Sequence, residues 1–241
     1  MTTLLIASFC IVAFSAAAQA ITGFGFALVG VPLLAVALDA HTAVVAITAV
    51  DLVLTTMIAI RERAHIQWRS VFVVALAGLA GVPAGLYVLA TFDERPLNVV
   101  IAVVVVGFAA LIACEVRMAQ GRRTEVAAGV SSGVLLACTG MNGPPLVAAF
   151  QVMGLSPRRL RATLQAAFTL QAVLVVSGFV ITDQFTTGSL TVAITALPAL
   201  VIGWAVGDKV FHRLAGPQFR RLVLAMLVAS GLATLVTAIA G

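Results

Sequence analysis

Long apolar runs separated by short charged or turn-rich connections dominate this 241-residue chain. They fall at about 3 to 20, 26 to 38, 42 to 60, 70 to 90, 97 to 116, 125 to 138, 144 to 154, 162 to 182, 188 to 207 and 219 to 240. Most match the length of a helix that crosses a hydrocarbon core of ~30 Å, so the pattern predicts an all-α polytopic membrane protein. Two pairs of runs are joined by glycine-rich breaks instead of charged loops. These are Thr22-Gly23-Phe24-Gly25-Phe26 and Thr139-Gly140-Met141-Asn142-Gly143-Pro144-Pro145. Within lipid, the backbone groups freed by glycine and proline are tolerated only where protein or a water-filled cavity supplies partners. A matched pair of breaks in two halves therefore points to a solute site at a repeat interface.

Composition supports the same class. The chain is 62% hydrophobic and 10% charged, with a mean hydropathy of +1.16, far above a soluble domain. A net charge of +5 comes from thirteen Arg and one Lys, grouped in the connections. That placement carries topology information and is not a nucleic-acid footprint. Cys10, Cys114 and Cys138 are isolated, so neither a disulfide framework nor a metal site is expected, and no cofactor is implied. Residues 1 to 20 end in Ala18-Gln19-Ala20, which looks like a cleavage site, but a basic leader is missing. The segment is expected to stay in the mature fold.

The basic residues choose between topologies. Lys and Arg number three at 61 to 69, one at Arg95, three at 117 to 123, three at 158 to 161, none at 183 to 188 and four at 209 to 221. Eight simple spans would place six on one face and eight on the other, which is no bias. If residues 3 to 38 and 125 to 154 are hairpins that enter and leave on one face, thirteen lie inside and one outside, as the positive-inside rule requires. The expected architecture is then an inverted repeat. Residues 1–118 hold hairpin 3–38 and helices 42–60, 70–90 and 97–116. Residues 119–241 hold hairpin 125–154 and helices 162–182, 188–207 and 219–240. Both termini lie outside. The leading arm of the first hairpin is about 27 Å long at ~1.5 Å per residue, enough nearly to cross the membrane.

Several residues then carry a resemblance: Gly23-Phe24-Gly25-Phe26 with Val31-Pro32-Leu33-Leu34, Gly140 through Leu146, Gly154-Leu155-Ser156 and Arg161-Ala162-Thr163. Together they resemble the sulfite exporter TauE/SafE family, also called TSUP, over essentially the whole chain. The resemblance implies a secondary transporter of small sulfur-containing or other organic anions across the bacterial inner membrane. Direction, coupling ion and exact substrate are not encoded, and a homo-oligomer stays open.

The residues themselves suggest how an anion could be held. Free N–H groups at helix N-termini bind anions without needing a counter-charge. Gly23, Gly25, Gly140 and Gly143 allow close approach, and Pro144 and Pro145 suit the first turn of a returning half-helix. Gln19, Thr22, Thr139 and Asn142 can add side-chain donors. The bland alternative is that small residues merely allow tight helix packing. On helix 162 to 182, Gln165 is weighed as a substrate contact against inter-helix glue, while Gln171 is assigned to packing or a polar lining. Arg161 is a candidate to meet the anion on its cytoplasmic path. Asp51 is the lone carboxylate near the middle of a span, so it should face the interior or take up a proton, either as the proton-coupling group or as a fixed hydrogen-bond partner for a break in a neighbouring helix. With Thr22 aligned on Thr139, an offset of 117, Asp51 corresponds to Phe168, so that role would be asymmetric. His41, His65 and His212 lack ligand spacing, and Trp68 and Trp204 read as interface anchors.

No nucleophile or metal constellation suggests an enzyme. A channel is the main alternative, since broken helices also build filters, and a partner-binding scaffold would leave both motifs and Asp51 idle. The partners expected are a small anion and membrane lipid, not nucleic acid.

Overall fold

A computed structural model describes residues 2–113 and 121–211, and among them the regular structure is entirely helical. The long helices are α1 (Thr2–Thr22), α3 (Ala40–Arg61), α4 (Trp68–Thr91), α5 (Glu94–Ala113), α6 (Arg122–Thr139), α8 (Pro157–Ile181) and α9 (Thr187–Phe211), with shorter α2 (Phe26–Ala37) and α7 (Gly143–Gln151) after the two breaks. The expected helix 219–240 and the end of 97–116 lie outside the described residues. Among the described residues, five helices are long and apolar enough to cross a membrane: α1, α3, α4, α8 and α9. The chain is thus a multi-pass, all-α membrane protein. The first hairpin's leading arm counts among the spans, while α7 has nine residues.

Local chemistry sets the ends. Asp39 caps α3 by accepting from the Thr42 amide at 2.7 Å, and Ser156 followed by Pro157 opens α8, where proline needs no N–H partner. Both breaks begin with the same device. Gly23 and Gly140 take left-handed φ values of +79° and +72°, and their amides donate to Gln19 O at 2.8 Å and Leu136 O at 2.9 Å. A side chain at such φ costs about 1–2 kcal/mol, which accounts for glycine at both positions.

Two close helix pairs hold the bundle, α4 along α6 and α1 along α9. In the first, Gly78, Gly81 and Gly85 lie against Gly129, Val130, Gly133 and Val134; in the second, Gly203 and Gly207 lie on Ala13 and Ala17. Without a side chain there, backbones approach closely enough for extensive dispersion contact, which drives helix association in lipid. The register in each pair advances together, so α4 runs parallel to α6 and α1 parallel to α9. Helices α3 and α8 cross the centre antiparallel, tied at one end by Arg158 Nε donating to Glu62 Oε2 at 2.9 Å and at the other by His41 Nε2 against Gln184 Oε1 at 2.8 Å. Helix α2 runs back along α1 and α3, with Gly30 seated on Ser15 and Ile47. The apolar core gathers Phe26, Leu34, Ile47, Leu54, Met141 and Phe179 around these central helices.

Candidate functional site

The two breaks meet. A cavity of about 10 Å³ at mid-bundle is lined by Phe24, Gly25, Ala27 and Leu28 from the first and by Met141, Asn142 and Gly143 from the second, with Gln19, Asp51 and Phe168 completing it. That is room for roughly one water, too little for an ion of four heavy atoms.

Hydrogen bonds fix the first break. The Phe26 amide donates to Gln19 Oε1 at 2.9 Å, which settles which end of that amide is oxygen. Gln19 Nε2 therefore faces Asp51 Oδ1 at 3.3 Å and Gln165 Oε1 at 3.4 Å. Gln165 Nε2 in turn donates to the Gly23 carbonyl at 2.7 Å. All three side chains are buried. At the start of α2 the first intrahelical bond runs from Val29 N to Gly25 O, so the Ala27 and Leu28 amides have no partner within the helix. Both residues line the cavity. Helix α7 adds the Gly143 amide alone in its first turn, because Pro144 and Pro145 have no N–H. It begins at Gly143, two residues before the expected Pro145.

The second break hangs from α8. Asn142 Nδ2 donates to Gln171 Oε1 at 3.1 Å, and Gln171 Nε2 donates to Ser132 Oγ at 2.7 Å and Val74 O at 3.2 Å. Gln171, assigned from sequence to packing or lining, is thus the positioner of Asn142. Residues 165 and 171 point to different sides of one helix, so α8 holds the first break with one glutamine and the second with the other. The sequence signal was present as two buried amides on one span. Which break each served depended on α8's rotation. Thr48, at the offset-117 counterpart of Gln165, lies against Gly140.

Other candidates fall less centrally. Thr139 is buried, but its hydroxyl donates back to Leu135 O at 2.7 Å. Gly140 touches Thr48 and Val31 instead of the cavity, and Pro144 is buried in the first turn of α7. The side chain of Thr22 lies outside the described residues. Arg161 does not line the central cavity. Its stem packs on Gly23, and it lines a separate 540 Å³ vestibule at the end of the bundle that carries Arg61 and Arg158. Phe24, Met141 and Phe168, apolar residues with no polar signal, were not foreseen. Among the described residues no cluster of His, Cys, Asp and Glu is arranged to hold a metal ion.

Replacing Gln165 by Met tests the amide relay. The change keeps volume but leaves the buried Gly23 carbonyl without its donor, at a cost of about 1–3 kcal/mol. A lowered thermal midpoint with retained folding is expected; an unchanged midpoint would mean that the carbonyl finds another partner.

Comparisons with known proteins bear on this site. The sulfite exporter TauE/SafE family matches over residues 8–234. A protein of Cupriavidus necator, named a probable sulfite/organosulfonate exporter TauE, is 25% identical over 233 residues, covering 92% of this chain and 90% of that protein. No solved structure matches the chain. A match across nearly the whole bundle, both breaks included, means that the chain belongs to the sulfite exporter TauE/SafE family of membrane transporters and is not an enzyme.

Proposed function

We propose that this protein is a secondary carrier that moves a small sulfur oxyanion, sulfite or a sulfonate, across the bacterial cytoplasmic membrane by alternating access around the cavity between the two breaks. One observation carries the reading: both broken hairpins line the same buried cavity. The anion is held by the amides of Ala27, Leu28 and Gly143 at two helix N-termini, with Asn142 as side-chain donor through its second Nδ2 hydrogen and Gln19 fixing the first break. The single-water volume marks a closed state, so binding an ion of four heavy atoms requires one side to open.

The repeat is inverted in this reading. Offset by 117, α1 to α4 superpose in sequence on α6 to α9. Because α1 runs parallel to α9, and α6 parallel to α4, each leading arm packs on the fourth element of the other half. Helix α3 opposes its counterpart α8. These opposed directions support halves of opposite orientation, with the arginine-rich end in the cytoplasm and both termini outside. Two near-equivalent halves can exchange conformations around one site, which favours a carrier over a channel built on the same breaks.

Asp51 couples the cycle to protons. It lines the cavity, and at ~5 Å an ionised carboxylate would repel a bound anion by about 3 kcal/mol at an effective dielectric of 20. Anion and proton therefore bind together. Reconstituted into proteoliposomes, the protein should give saturable sulfite counterflow; nonsaturating conductance would indicate a pore, and absence of flux would defeat the transport reading. The Asp51→Asn variant should keep counterflow, since an amide resembles the protonated acid, and lose sulfite-driven acidification of the lumen. Acidification at the wild-type rate in that variant would exclude Asp51 from coupling.

A further inference from the structure

The arginine-rich vestibule is fifty-fold roomier than the central cavity, about 540 Å³ against 10 Å³. Its charged and aromatic lining is Arg61, Glu62, Arg158, Arg161, Trp204 and Asp208. Shifted by 117, these positions become Gly178, Phe179, His41, Val44, Tyr87 and Thr91. The same fold positions at the opposite mouth thus carry no acid and no arginine, and His41 there is occupied by Gln184.

Within the vestibule the charges are unevenly committed. Glu62 is engaged by Arg158 at 2.9 Å and approached by His65 at 3.6 Å. The Arg61 guanidinium lies 5.1 Å above the Trp204 ring, a face that holds it in place without neutralising it. Arg161 lines the same space as Asp208, Glu62 and Arg61. Three guanidiniums therefore share two carboxylates around a space larger than a sulfur oxyanion. Arg161 also reaches the first break, because its Cγ lies 3.2 Å from where a Cβ on Gly23 would sit.

We propose that this vestibule is a second, low-affinity binding site for sulfur oxyanions, in which Arg61 and Arg161 capture the anion at the basic mouth, Asp208 competes with it for Arg161, and Gly23 separates it from the central cavity. It rests on the reading of the breaks as the transport site. The one-sided charge makes capture directional: the basic mouth concentrates anions from its side, and the opposite end, where Asp39 and Asp183 flank the His41–Gln184 contact, repels them. Asp208 prevents a trap, since an anion held by two guanidiniums with no carboxylate competing for them would leave slowly.

Equilibrium dialysis of the purified protein with radiolabelled sulfite tests this. Two binding classes are expected in the wild type. The Arg61→Gln variant should weaken the looser class about tenfold, the loss of one charge-assisted contact, and leave the tighter class unchanged, while Arg61→Lys restores part of it. The Asp208→Asn variant should tighten the looser class severalfold, roughly the worth of one competing ion pair. The Asn142→Leu variant should lose the tighter class alone. A single class that disappears in Asn142→Leu and ignores Arg61→Gln overturns the vestibule site and leaves the central one standing. Absence of sulfite binding in every form overturns both.

Discussion

Replacing Asn142 by Leu should abolish sulfite counterflow while the protein still folds. Asn142 is buried at the start of α7, lines the central cavity and is held by Gln171. Leucine is close in volume, and the Gln171 carbonyl it abandons lies 3.1 Å from Ser132 Oγ, whose hydroxyl can turn to it from the Gly129 carbonyl at 2.9 Å, an acceptor within a helix backbone. The anion fares differently. It loses a donor worth about 1.5–3 kcal/mol to a charged partner, which corresponds to roughly ten- to a hundredfold in affinity, and an isobutyl group now occupies its side of the cavity. A thermal midpoint near wild type with transport at background is the expected pair of results. Undiminished affinity in a folded variant would remove the second break from the site.

Valine at Gly81 or Gly203 should prevent accumulation of folded protein. A Cβ at Gly81 would fall on the carbonyl oxygen of Val130, and one at Gly203 on that of Ala13. A flexible side chain could swing away; backbone cannot. The α4/α6 or α1/α9 pair must therefore separate along its length, and the cost should reach or exceed the ~3 kcal/mol upper range for overpacking, against total stabilities of about 5–15 kcal/mol. Gly107 is the control, since a Cβ there meets nothing within 4 Å and the position is exposed. The check is the monodisperse peak of detergent-extracted protein by size-exclusion chromatography. Wild-type peaks for Gly81→Val and Gly203→Val would show that these contacts are not what joins the helices. The consequence also bears on the bland reading of small residues. Tight packing explains the glycines of α4, α6 and α9, whereas Gly23 and Gly140 are set apart by their left-handed backbone.

How far the sequence reached can be judged element by element. The breaks fell where glycine and proline put them, with α1 ending at Thr22 and α6 at Thr139, because helix termination by such residues is a local backbone effect. The described helices run past the apolar stretches, α3 over Ala40–Arg61 beside 42–60 and α8 over Pro157–Ile181 beside 162–182, because polar and charged residues such as Arg61 and Arg158 to Arg161 continue a helix that hydropathy alone ends. The membrane class followed from hydropathy alone. Roles inside the bundle were harder. Arg161, expected on the anion's cytoplasmic path, lines the vestibule at the basic end and packs its stem on Gly23, a placement that depends on how α8 lies against the first break. Thr139, expected as a donor, spends its hydroxyl on its own helix, as threonines do where no better acceptor is in reach. Gln171 looked peripheral because a span with several polar residues shows no strong polar face from sequence.

The chain alone therefore determined the class and the two places where helix must stop, since apolar length and backbone strain are properties of neighbouring residues. Tertiary structure decided that the two stops share one cavity, that Gln165 and Gln171 each hold a different one, and that three arginines from α3 and α8 surround one vestibule. Those facts depend on how helices are rotated and crossed. In lipid that is set by where small residues let backbones touch, a sum of many weak long-range contacts that no local pattern records.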